Sequence, residues 1–278
     1  MKRNMCQTSP PSYYWDFFAG LAEDGESLSH ALEAMLIKNF GYISGKIEPE
    51  IFYWKWKNNL VSIDNHFFPV RWDIEELALL NDDQRMRWFG LEDFIEYKLS
   101  PAVYENFSHI FEFLKKKYTF ELKNIENILL KFNNLEKKND RVFYAKKNPI
   151  GLSRQQIFLL KEFALLKKNK VFRVCLHIND QSDIHEMLMI HVTRTSMGPL
   201  KQNKTSLSYH IIEGSLIVKI HNNSRVVLKE YRICKDDGYI SLRLHADEYR
   251  SIHTDSPYAI FMEVASGPFK DSDTLWLV

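Results

Sequence analysis

A chain of 278 residues has room for one large domain or two ordinary ones. With 45% hydrophobic and 26% charged residues it can bury its own core, and a formal net charge of +1 excludes an overall electrostatic footprint for nucleic acid or an anionic membrane. Three cysteines, Cys6, Cys175 and Cys234, lie far apart with no metal-ligand spacing, which fits a reducing compartment. No run approaches the ~18 apolar residues of a membrane helix, and the basic start "MKRNMCQTSPPSYYWDFF" has no apolar segment of a signal peptide. A cytoplasmic protein with neither a membrane nor a nucleic-acid partner is expected.

The first half is aromatic-rich and mostly helical in pattern. Five of the six tryptophans fall there: Trp15, Trp54, Trp56, Trp72 and Trp88. "SLSHALEAMLIKNF" repeats apolar residues at helical spacing from Leu28 to Phe40, and Gly41 suits its end. "IFYWKWKNNL" alternates only in part and fits a strand or a helix start equally. "WDIEELALLNDDQRMRWFGLEDFIEYKL" reads as two short helices, with Arg85 and Arg87 as candidate anion contacts. "HFFPVRWD" gathers His66, Arg71 and Asp73 among aromatic residues, as core packing with an ion pair or as a pocket lining. Ser100 followed by Pro101 predicts a helix N-terminus, opening a helical stretch to about Leu135.

"KKNDRVFYAKKNPIG" (Lys137 to Gly151) is charged and ends in breakers, and reads as the boundary between domains. Lysine clusters here and at Lys115–Lys117 and Lys167–Lys170 read as solvated surface or as a polyanion patch. Ser153 and Gln156 form a capping-box pattern before a helix whose apolar face includes Ile157, Leu160, Phe163 and Ala164. From "NKVFRVCLH" onward, short apolar runs follow one another without helices: "HEMLMIHVTR", "SLSYHIIEG", "SLIVKIHNN", "SRVVLKEYRI", "GYISLRL", "YRSIHT" and "YAIFMEVAS". Asn222–Asn223 between two such runs is a hairpin signal. The pattern predicts an all-β sandwich or barrel, with Cys175 and Cys234 buried as small apolar residues.

Three of these words, "FRVCLHINDQSDIHEMLMIHV", "SYHIIEGSLIVKI" and "SPYAIFMEVASGPF", resemble the WbuC-type cupins, often encoded in O-antigen polysaccharide clusters. Order and spacing agree from about Ile150 to Val278. The resemblance implies an all-β cupin barrel (double-stranded β-helix, jelly-roll) over 149–278; with the mainly helical pattern of 1–148, a domain of unknown type, an α+β chain is expected. It also implies where a metal site would lie. Two histidines one residue apart, a glutamate on the next strand and a later histidine would point into the barrel and hold an iron, manganese, nickel or zinc ion. In this sequence those positions are Leu200, Gln202, Leu207 and Arg250. Leucine offers no donor atom and arginine stays protonated, so no metal and no cofactor are expected at this site.

Alternation points Leu200, Gln202, Leu207, Tyr209, Ile211 and Arg250 inward, and places His210 on the other face. Arg250 needs an acceptor. Either Glu263 pairs with it and the site is structural, or the guanidinium holds an anionic sugar or nucleotide-sugar. Arg173 and His177 are placed on one strand face lining the same region. The expected ligand-binding residues are therefore Arg173, His177, Gln202, Tyr209 and Arg250. Seven of the ten histidines (His177, His185, His191, His210, His221, His245 and His253) lie in this half, and a displaced metal site built from them is the alternative, as is an enzyme site in the N-terminal half. A third reading has the barrel pairing two copies of the chain as a homodimer.

Overall fold

The computed structural model describes residues 2–4, 13–15, 21–40, 46–57, 62–71, 93–117, 122–132, 134–146, 149–167, 170–192, 194–203 and 205–277. Two compact units divide the chain, Met1–Phe120 and Glu121–Val278. The mixture of helices with one large sheet is an α+β arrangement. Among the described residues no helix is long and apolar enough to cross a membrane.

The first unit holds three small antiparallel pairs among its described residues. β1 (Lys2–Asn4) pairs with β2 (Tyr13–Trp15), β3 (Lys46–Ile47) with β6 (Val70–Arg71), and β4 (Phe52–Lys57) with β5 (Ser62–Phe67). The ambiguous "FYWKWK" is thus a strand, its register fixed where Phe52 stacks on Phe67 at 4.1 Å. His66 Nδ1 meets Glu50 at 2.9 Å. α1 (Leu28–Phe40) covers the expected helix, with Leu36 buried and Leu28 exposed. The two helices expected over Trp72–Leu99 lie mostly outside the described residues, with Arg85, Arg87 and Asp73; α2 (Asp93–Glu96) is the described part.

Ser100 caps α3 (Pro101–Glu105), accepting from Val103 N at 3.2 Å. The single helical stretch expected from here is broken. α3 ends at Asn106, whose φ of −102° and ψ of 10° leave the helical region while its amide donates to Ala102 O at 2.8 Å. Asparagine competes for backbone in this way and ends helices. α4 (Phe107–Lys117) restarts the helix, burying Phe107, Ile110 and Phe111 as their spacing predicts.

The second unit opens with α5 (Leu122–Phe132), which buries Ile125 and Leu129 four residues apart on one face. The segment read as a domain boundary is instead a hairpin. β7 (Leu135–Asn139) pairs with β8 (Val142–Ala145), and β8 runs parallel to β9 (Val171–Cys175). The expected division at 148/149 therefore lies inside the second unit, in the crossover that a parallel pair needs. α6 (Arg154–Lys167) makes that crossover. Its capping box closes as predicted, Gln156 N to Ser153 Oγ at 3.3 Å and Ser153 N to Gln156 Oε1 at 2.6 Å. Phe163 of α6 packs against Phe143 and Phe172, whose rings meet edge to face at 5.0 Å.

Beyond β9 the remaining pairs are antiparallel. β10 (Ile184–Val192) lies between β9 and β15 (Tyr249–Ser266); β15 pairs with β12 (Leu207–His221), and β12 with β13 (Val227–Cys234). β11 (Ser196–Gln202) joins β15 and β16 (Thr274–Trp276), and β14 (Ser241–Leu244) joins β12, completing ten strands. The Asn222 turn forms the expected hairpin, its Oδ1 accepting from Ser224 N and Val226 N at 2.9 Å each.

Two pairs of short runs fuse. "SLSYHIIEG" and "SLIVKIHNN" are one strand, β12, whose register shifts between Ile211 and Glu213 and again between Gly214 and Leu216. "YRSIHT" and "YAIFMEVAS" are likewise one strand, β15. The shifts change which face each half presents. Both halves of β12 and β15 feed one core: Leu207, Tyr209, Leu216, Val218 and Ile220 meet Ile252, Ala259, Phe261 and Ala265, with Cys175, Met187 and Met189 from the neighbouring strands. Cys175 and Cys234 are buried free thiols.

Candidate functional site

The strand path forces two distant parts of β15 together. Thirteen steps separate Arg250 from Glu263, roughly 43 Å along a straight strand at about 3.3 Å each. Yet Arg250 Nε donates to Tyr209 Oη at 3.1 Å, and Tyr209 sits directly across the ladder from Glu263. The sheet must curl so that the first half of β15 faces the second. Arg250, on the inner face between Leu200 of β11 and Ile220 of β12, thereby reaches the opposite wall.

The interior positions read from alternation are where the sequence puts them. Leu200 is 7% exposed, Leu207 2%, Tyr209 1% and Arg250 5%; Gln202 and Ile211 are half-buried and His210 is exposed on the other face. Tyr209 is held by the edge of Phe261, ring centres 5.5 Å apart at 84°. The guanidinium has a second, longer contact, Nη2 to Gln202 Oε1 at 3.5 Å. Among the described residues no carboxylate comes within ion-pair distance of it, Glu263 included. Arg250 is therefore a buried cation served by neutral acceptors.

Glu263 nonetheless senses it. Burial pushes the Glu263 carboxyl above its ordinary value, and the charges of Arg250 and then Arg173 pull it back. Burial also raises the Tyr209 phenol, with Arg250 opposing and Glu263 adding to the rise. Arg173 stands exposed on β9, opposite Met189 of β10. Interior electrostatics thus join Arg250, Tyr209, Glu263 and Arg173, and hydrogen bonds add Gln202.

His177 lies further along the Arg173 face, away from Arg250. The β9–β10 register runs on past Cys175: Leu176 N donates to Glu186 O and His177 stacks on His185, its cross-strand partner, on the face that Arg173 and Cys175 share. The His177 ring stacks on His185 at 4.1 Å, meets Tyr144 edge-on at 5.5 Å, and its Nδ1 lies 3.1 Å from Glu186 O. Burial and then the neighbouring His185 lower its pKa. Beside it Tyr144 donates to Asp180 at 2.5 Å, and Lys138 reaches the other oxygen at 3.2 Å. This second cluster is mutually satisfied apart from His185 Nε2.

The residues at Leu200, Gln202, Leu207 and Arg250 do not form a metal donor set: two leucines, a half-buried amide already engaged, and a guanidinium. Among the described residues no group of three or more His, Cys, Asp or Glu side chains is placed to hold a metal ion. A further chain of side chains, Ser196, His253, Ser251 and His221, is linked by hydrogen bonds on the outer face. Sequence offered only the histidines, because the contacts span strands up to 57 residues apart.

The chain matches no family profile, and no curated protein matches it. Among solved structures it is similar to the capsular polysaccharide assembling protein CapF from Staphylococcus aureus, with 10% identity over 39% of this chain and 32% of that one and a TM-score of 0.35. It is similar to a cupin superfamily protein from Desulfitobacterium hafniense, with 13% identity over 35% and 78% and a TM-score of 0.29. KdgF from Halomonas sp. gives 12% over 37% and 83%, with a TM-score of 0.29. The match takes in about a third of CapF's length.

Proposed function

We propose that the second unit is a cupin barrel in which an arginine-centred anion site stands where the metal would be. The observation that carries this reading is Arg250, 5% exposed and, among the described residues, hydrogen-bonded only to neutral partners. A guanidinium offers five donors, and two neutral contacts leave fork geometry for a carboxylate or phosphate. Arg173 supplies a second cation near Glu263, so the interior is electropositive whenever Glu263 is protonated. The ligand class is a sugar acid or the phosphate of a nucleotide-sugar, bound for recognition without metal chemistry. The tie to surface-polysaccharide metabolism rests on the resemblance of the sequence words alone. Buried free thiols at Cys175 and Cys234 favour a cytoplasmic location.

The deciding experiment is a thermal-shift series with sugar acids, nucleotide-sugars and inorganic phosphate on the full chain. At least one anion raises the melting temperature of the parent, and Arg250→Ala removes that rise. A rise that survives Arg250→Ala overturns the assignment. Stoichiometric metal in the purified protein, detected by elemental analysis, overturns the metal-free reading.

A further inference from the structure

The outer face of β11, β12 and β15 carries a chain of contacts that the anion site does not touch. His221 Nδ1 lies 3.3 Å from Arg225 O, and His221 Nε2 lies 2.8 Å from Ser251 Oγ. Ser251 Oγ lies 2.9 Å from His253 Nε2, and His253 Nδ1 lies 3.0 Å from Ser196 Oγ. Neighbouring strands bring the pieces together: Ser196 stands opposite His253 in the ladder, and Ser251 and His253 share one face of β15.

One carbonyl sets every direction in this chain. Arg225 O only accepts, so His221 donates from Nδ1, and in the neutral ring Nε2 is then an acceptor. Ser251 gives its one hydroxyl hydrogen to His221 and accepts from His253 Nε2–H. His253 is left facing Ser196 with the lone pair of Nδ1, so Ser196 donates. Burial, then the charges of Lys219 and His221, lower the His253 pKa and favour the neutral ring that has this lone pair. Ser251 is 2% exposed while Ser196 is exposed. The relay is closed to water at its middle and open at its serine end.

We propose that Ser196 is a nucleophilic serine with His253 as its general base, acting on carboxylic esters. Ser196 Oγ bonds to the ester carbonyl carbon as its proton moves to His253 Nδ1. The bond to the alcohol oxygen then breaks, and the departing alcohol takes that proton. Water adds to the acyl-serine, giving a proton to Nδ1, and the acid leaves as Ser196 Oγ recovers it. The sum is ester plus water to acid plus alcohol. While Nδ1 is protonated, hydrogens shift from His253 Nε2 to Ser251 and from Ser251 to His221, spreading the positive charge toward Arg225 O. Ser251 and His221 are positioning residues in this scheme.

The test is labelling of the full chain with a fluorophosphonate probe, mapped by peptide mass spectrometry, with p-nitrophenyl acetate hydrolysis followed in parallel. Ser196 is labelled in the parent, and Ser196→Ala abolishes both signals. His253→Gln slows labelling on the order of 100-fold, and Ser251→Ala by a smaller factor while moving the pH midpoint. In the parent that midpoint lies below the ordinary imidazole value of 6.5. An unlabelled Ser196 in the parent overturns the proposal, as do unchanged rates in His253→Gln and Ser251→Ala proteins that melt like the parent. If His253→Gln fails to fold, Ser251→Ala decides alone.

Discussion

Arg250 gives its Nε hydrogen to Tyr209 Oη across 3.1 Å, and that contact crosses from one wall of the curled sheet to the other. Both groups are buried, so each depends on the other for satisfaction. Replacing Tyr209 with Phe strands a buried charged donor and is expected to cost about 1–3 kcal/mol. Replacing Arg250 with Met removes the charge together with its need, and chemical denaturation should show stability no lower than the parent's. The double variant tests the coupling: Tyr209→Phe costs much less in the Arg250→Met background. Equal costs in both backgrounds would show that the pair is not coupled.

Glu263 has a carboxyl raised by burial, so the folded chain holds its proton where the unfolded chain has released it. Its contribution is fully present below the unfolded value near 4.5 and is lost as pH rises through the folded value. Glu263→Gln is therefore expected to stabilise the protein at neutral pH and to match the parent in acid below that value. Denaturant midpoints at the two pH values check this. A variant less stable than the parent at neutral pH would mean the two arginines hold the carboxylate ionised.

His191 makes the opposite case. It is 0% exposed, its ring nitrogens have no hydrogen-bond partner among the described residues, and it meets the Phe261 ring edge-on at 5.0 Å. Burial lowers its pKa to about 4 from an ordinary 6.5. Stability from keeping this ring neutral is present above 6.5 and is lost as pH falls toward 4, about 3 kcal/mol in all. His191→Leu should flatten acid destabilisation in that window by one proton. An unchanged slope of stability against pH would place the sensitive group elsewhere.

Gly214 sits between the two register shifts of β12 at φ +77°, where an added Cβ runs into the backbone oxygen of Tyr258. Gly25 has a similar φ of +84° but nothing within 4 Å. Gly25→Ala is expected to cost about 1 kcal/mol from backbone strain alone. Gly214→Ala adds a steric term and should cost on the order of 2–4 kcal/mol. Thermal melts of both variants check the difference.

What could be read from sequence was local or strictly periodic. Ser100 and the Ser153–Gln156 box cap helices through bonds spanning three residues, and the Asn222 turn closes through its own side chain. Leu200, Leu207, Tyr209 and Arg250 follow from a period of two once one anchor is placed. The β7–β8 hairpin was hidden because Lys137 and Lys138 read as linker, whereas charge is what the outermost strand of a sheet carries. His177 keeps the Arg173 face, but its ring contacts are His185 and Tyr144, which spacing along the sequence does not show. Of the Ser196 chain the sequence offered only His221 and His253, since strand order and not spacing assembles it.

The parallel step between β8 and β9 has a practical meaning for anyone isolating the large sheet. A fragment starting at residue 149 keeps α6 and β9 but discards the strand that pairs with Arg173, Val174 and Cys175. The backbone groups of β9 on that side, and the ring of Phe172 that leans on Phe143, lose their cover. Such a bare flank recruits other chains, so a fragment cut there invites self-association through β9. A start at Glu121 keeps β8 in place.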